Sequence, residues 1–236
     1  MPELPRYRCR RTGQPLPTDG TLTHPAWAEA PWTEDFVDIS GPDRPVPRFR
    51  TRTKLLWDDD FLYVGAHLEE PHVWATMSER NTMLFQENNF EVFLDPDGDG
   101  ENYYEFEINP LGTIWELTLP KPYSRGGVAI DPTNLPGLRT AVHVDGTLND
   151  PADTDRGWSV EIALPWAALA SYNVGRATPP AEGDEWRMNL MRVEWPHEVV
   201  DGAYRKGVGE NHWVWSPQYV VDIHKPEHWG VLEFVA

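Results

Sequence analysis

Between residues 88 and 109 the chain reads NNFEVFLDPDGDGENYYEFEIN, two short runs in which apolar and acidic side chains alternate about an Asp/Gly loop. Alternation at a period of two sends successive side chains to opposite faces of an extended chain. The pattern therefore predicts strands over 90–94 and 104–108, joined as a β-hairpin that gathers its carboxylates on one face. A second hairpin is predicted from 54–57 and 61–68 around the acidic turn Asp58, Asp59 and Asp60. Its second arm is almost continuously apolar, as a central sandwich strand is. Further strands are predicted at 112–119, 139–145, 157–164, 185–194, 213–215 and 230–234, and an edge strand at 36–39 follows a short turn. Only 165–169 predicts a helical turn, with Pro165 tolerated at its first position.

The 23 prolines are about twice the usual 5% and fall between the apolar runs, which favours many short strands over long helices. There is no internal repeat, heptad or long linker, and 236 residues suit a single β-sandwich or barrel. The organisation expected is an N-terminal tail over 1–21 and one all-β domain over 22–236. Residues 123–138, rich in Gly and Pro, read as a rim or lid over a binding face.

A formal charge of −18 argues against nucleic acid and anionic membrane surfaces as partners, since both attract basic patches. No apolar run approaches the roughly twenty residues of a membrane helix. The segment MPELPRYRCRR lacks the apolar core of a signal peptide, so the chain as written reads as cytoplasmic, or extracellular if a leader was removed. A single cysteine, Cys9, excludes an internal disulfide and reads as incidental.

Asp95, Asp97 and Asp99, two apart and followed by Gly100, have the spacing by which a loop aims oxygens at a calcium ion, although Asp, Gly and Pro are also ordinary turn formers. An EF-hand is excluded, because the twelfth position counted from Asp95 is Phe106 rather than Glu. The 12 Trp, 8 Tyr and 8 Phe supply aromatic area of the kind a sugar's C–H face stacks on. Trp57, Trp158, Trp186 and Trp229 read as core. Trp74, Phe85, Trp115, Trp195, Trp213, Trp215 and Tyr219, beside loops or on strands with an acidic face, are the ligand candidates. Glu91 and Glu107 share a face only if the hairpin register permits it, with Arg192 either joining them or serving a structural ion pair.

The order of four motifs, WDDDFLYV at 57–64, NFEVFLDP at 89–96, WSVEIALPW at 158–166 and HWGVLEF at 228–234, resembles the family 9 carbohydrate-binding modules. The resemblance implies a two-sheet antiparallel β-sandwich related to the DOMON domains, a structural calcium and a concave sugar site. It also implies a non-catalytic role beside enzymes that degrade plant polysaccharides. The family's site holds a sugar between two tryptophans. Carried over residue by residue, Phe85 stands where one tryptophan precedes the acidic strand, Glu91 matches the glutamate within it, Glu107 replaces an arginine on the partner strand, and His224 in 222–224 lies where the second tryptophan would be. An altered site is expected, with Arg192 and the run 213–217 contributing.

The same residues admit other chemistries. Glu91 with Glu105 or Glu107 could act as acid and base on a glycosidic bond. His224 and His228 are spaced for zinc on a helix, which Pro226 forbids. Met188, Met191 or His197 could ligate haem iron, but residues three apart on a strand face opposite ways. A partner-binding scaffold without a small ligand remains as an alternative, and the oligomeric state is left open.

Overall fold

The computed structural model describes residues 3–236. In chain order the elements are β1 (Arg6–Arg11), α1 (Pro25–Glu29), β2 (Val37–Asp38), β3 (Thr51–Trp57), β4 (Phe61–Glu69), β5 (Asn89–Asp95), β6 (Tyr103–Ile108), β7 (Ile114–Leu119), β8 (Arg139–Asp145), β9 (Gly157–Pro165), α2 (Trp166–Leu169), β10 (Glu185–Glu194), β11 (His197–Val200), β12 (Ala203–Lys206), β13 (Asn211–Val214) and β14 (Gly230–Val235). The hydrogen-bonded order is β7-β6-β5-β10-β14-β1-β3-β4-β9-β8, with β13 branching from β10 and carrying β2 at its edge, while β11 and β12 form a separate hairpin. This sheet curls so that its two halves pack face to face as a β-sandwich. Leu55, Val64 and Val160 from one half share a core with Val92, Tyr104 and Leu190 from the other.

The segment set apart as a tail is a correction. Within 1–21, β1 lies in the middle of the sheet and pairs parallel to both β14 and β3, joining the two halves of an otherwise antiparallel sandwich. Tyr7 and Cys9 point inward and are buried, while Arg6, Arg8 and Arg10 point out. Only two inward apolar positions mark the strand, too few to stand out against the arginines. Trp57 Nε1 donates to the carbonyls of Cys9 (3.1 Å) and Val235 (3.0 Å), so a core tryptophan fastens three strands together. Cys9 is thus part of the core. Pro25–Glu29 is a second short helix where a turn was expected, and β11–β12 carries too little apolar pattern to have been foreseen.

Buried carboxylates clamp the loops to this frame. Glu161 on β9 accepts from the amides of Asp19, Gly20 and Leu22 and from Trp27 Nε1 at 2.8–3.2 Å. Glu87 likewise accepts from Thr76, Met77 and Asn109. Each places a formal charge inside the protein only where several N–H and O–H donors meet it.

Candidate functional site

The alternation of β5, β6 and β7 decides what reaches the site. Phe90, Val92, Leu94, Tyr104, Phe106 and Ile108 face the sandwich core. The opposite face carries Glu91, Phe93, Tyr103, Glu105, Glu107, Trp115 and Leu117, over which loops from 84–85, 123 and 221–224 fold to leave a cleft of ≈ 410 Å³. Register sets two rows across four strands. Met191, Glu91, Glu107 and Trp115 stand directly beside one another on β10, β5, β6 and β7, and Asn189, Phe93, Glu105 and Leu117 form the next row. The hairpin register thus puts Glu91 opposite Glu107, the condition the sequence left open.

One carboxyl oxygen from each of Glu91, Glu105 and Glu107 lies within 4.8 Å of the other two, and all three side chains are buried. Asn89 Nδ2 donates to Glu91 Oε1 (3.1 Å) and to Glu107 Oε2 (2.8 Å), while Glu105 Oε2 and Asn89 Oδ1 are buried without a partner. Burial, and then mutual repulsion, holds Glu91 and Glu107 well above the usual carboxylate range, and burial pushes Glu105 up to about 8. Phe85 stacks on Trp115 with ring centroids 5.9 Å apart at 30°, and Trp115 Nε1 is fixed by Asp131 at 3.0 Å. His224 Nδ1 meets the Tyr103 hydroxyl at 3.0 Å and its ring packs edge-on to Tyr123. Burial pushes His224 down to about 4 and also lowers His212, so neither brings a positive charge at neutral pH.

Five predicted residues therefore meet in the cleft: Phe85, Glu91, Glu107, Trp115 and His224. Four do not. Arg192 sits opposite Phe90, on the core side of β10, because its neighbour Met191 takes the cleft side. There its guanidinium binds Glu70 (2.7 Å) and Glu194 (2.6 Å) and packs over Trp213, which is the structural ion pair. Trp213 and Trp215 are core residues. Tyr219 is exposed and packs on Gly41 and His228 away from the cleft. Of the remaining candidates, Trp74 is buried, and Trp195 lies outside the lining with Lys206 over its ring.

Sequence reasoning missed Tyr123, Ile39 and His212 as lining residues. The Gly/Pro-rich 123–138 segment was the available signal for Tyr123, the one residue of it that lines the cleft, and Asp131 from the same segment fixes Trp115. The haem and zinc readings find no assembled ligand set among the described residues. Met188 lies in the core and Met191 in the cleft, His197 packs with His72 and Tyr204, and His224 and His228 have separate surroundings.

At the far end of the hairpin, Asp95 accepts from the amides of Gly98 (3.1 Å) and Gly100 (2.9 Å), and both glycines adopt positive φ. The turn is thereby closed by the chain itself. One carboxyl oxygen from each of Asp95, Asp97 and Asp99 still lies within 4.8 Å of the other two, and Asp97 Oδ1 is buried without a partner. Oxygen donors of this kind fit a calcium ion.

The family model described as carbohydrate family 9 binding domain-like matches residues 18–235. The chain belongs to the family 9 carbohydrate-binding modules. In sequence, this module is 26% identical over 120 residues to "Exoglucanase XynX" of Acetivibrio thermocellus, a match over 51% of this chain and 9% of that protein's length. In fold, it matches a family 9 module from Caldicellulosiruptor kristjanssonii solved with cellotriose, at a TM-score of 0.62 and 16% identity over 98% of this chain and 94% of the other. A module from the same organism solved with glucose matches at 0.60 and 17% over 97% and 95%.

Proposed function

We propose that the chain binds a plant-type oligo- or polysaccharide without cleaving it, in the cleft walled by Phe85, Trp115 and Tyr123 over Glu91 and Glu107. One observation carries this reading. An open cleft places the stacked Phe85 and Trp115 rings beside a row of polar groups held rigidly on strands, and sugars need such a pairing of apolar face and polar rim. Solved members of the family with the same fold contain cellotriose or glucose, and a relative that matches over half this chain is an exoglucanase. Those likenesses favour a β-1,4-glucan-type ligand and work beside a polysaccharide-degrading enzyme. Hydrolysis is disfavoured by geometry. Glu91 and Glu107 stand side by side and share the Asn89 amide, whereas a glycosidase needs carboxyls on either side of the scissile bond. In the same reading a calcium ion at Asp95, Asp97 and Asp99 stiffens the hairpin turn.

The test is a calorimetric titration against oligosaccharides from cellulose, xylan, mannan and pectin, followed by long incubation. Binding at sub-millimolar Kd with no product released is the expected result. Absence of binding across the panel would sink the sugar reading in favour of a partner-binding module.

A further inference from the structure

The cleft contains three buried carboxyl groups and no lysine or arginine. Elsewhere the chain supplies partners for its buried acids: Arg192 stands between Glu70 and Glu194, and Glu161 accepts from four N–H groups. Against Glu91, Glu105 and Glu107 it sets only the Asn89 amide and the hydrogen bond that a protonated Glu107 makes to Glu105, and no N–H group or cation meets the buried Glu105 Oε2. Buried polar atoms left this way cost free energy that a bound group can recover.

We propose that the ligand of this cleft carries its own positive charge, and that its class is an amino sugar with free ammonium groups, such as a β-1,4-linked glucosamine oligosaccharide. This rests on the reading of the cleft as a sugar site. Burial and mutual repulsion favour the protonated acids in the free cleft, so an entering ammonium exchanges with their protons, and its three donors on one centre match three carboxyl groups with one oxygen of each within 4.8 Å of the others. A neutral hydroxyl brings one. The ring of Trp115 beside Glu107 adds an aromatic face, the other half of a cation-binding site. A calcium ion fits less well, because it needs six to eight oxygens around it. Here the acids come from two adjacent strands and cover one side, while Trp115, Leu117, Met191 and Ile223 occupy much of the rest. Glucosamine oligomers share the β-1,4 backbone of cellotriose, so one cleft can take either shape and charge alone separates them.

The experiment is a titration of the intact chain at pH 6 with cellotriose, the glucosamine trimer and the N-acetylglucosamine trimer, at low and high salt, with calcium chloride alone as a fourth arm. The glucosamine trimer is expected to bind at least tenfold tighter than cellotriose and to weaken with salt, and the N-acetylated trimer, which has lost the charge, to lose the advantage. Glu105→Gln, and independently Glu107→Gln, should shrink the ratio of the two affinities, with circular dichroism melts confirming that each variant folds. Cellotriose binding as well as the glucosamine trimer would overturn the charge preference and leave the sugar reading intact. No binding of any sugar would overturn both. Calcium binding that Glu105→Gln abolishes would replace the ammonium with a metal.

Discussion

Acidic side chains are buried on both faces of the sheet around β10, and the two groups differ in who neutralises them. On the core face, Glu70 and Glu194 close on Arg192, whose guanidinium also donates to the Glu69 carbonyl at 2.7 Å. On the cleft face, Glu91, Glu105 and Glu107 have a comparable density of carboxyls and no cation. A charge cluster complete in itself is structural, and the one left incomplete beside an open cleft is where we place the ligand. Burial and charge density alone do not distinguish them; the partner does.

The largest expected effect is on the completed cluster. Arg192→Met should cost about 3–5 kcal/mol of stability in urea unfolding, because it leaves Glu70 buried without a cation and Glu194 with Arg48 alone. A stable variant that had lost sugar binding would break the comparison, since that is what a ligand-binding Arg192 requires. Trp213→Ala belongs with it, and a core tryptophan of this kind should cost about 3–5 kcal/mol.

The pH dependence sharpens the other side. A carboxyl whose pKa is raised in the folded state binds more protons folded than unfolded. Stability is therefore lost as pH climbs from the unfolded value of about 4.3 towards about 8 for Glu105, by at most about 1.4 kcal/mol per pH unit for each group titrating. Glu70, also pushed up to about 8 by burial and by Glu194, adds a slope of the same sign. The double variant Glu105→Gln with Glu107→Gln should flatten the decline between pH 5 and 8 only in part; an unchanged slope would mean that the cleft acids do not carry it.

Smaller effects follow at the rim and the turn. Trp115→Ala should weaken sugar binding at least tenfold, about 1.4 kcal/mol, with some loss of stability because Trp115 is buried, and Phe85→Ala somewhat less, with little change in melting because Phe85 is 41% exposed. Unchanged affinity in both would place the site elsewhere. Least of all, Asp97→Ala with Asp99→Ala should lower the melting temperature by a few degrees in calcium and not in chelator. Equal shifts in both would leave the turn with its own hydrogen bonds and no ion.

Much of the fold was legible because strands with one buried face write a period of two into the chain. The bounds expected for 139–145 and 185–194 are those of β8 and β10, and the acidic hairpin falls where alternation placed it. Within the site, Glu91 and Trp115 were visible for the same reason. Arg192 was misplaced by one step of that period: in a run with Met191 on one side and Val193 on the other, local pattern does not say which face meets the core. Trp213 and Trp215 were misread because aromatic residues near loops look alike whether the loop opens onto solvent or covers a core.

What the sequence determined by itself is most of the strands, their breaks at proline and glycine, and the family, since these depend on local alternation and on motif order. Tertiary structure alone decided that the arginine-rich start of the chain is a central parallel strand, and that Arg192 is shared by Glu70 and Glu194. It also decided that three glutamates from two strands converge without a cation. Each depends on which distant strands become neighbours and in what register, and a shift of one residue would carry every side chain of a strand to the opposite face.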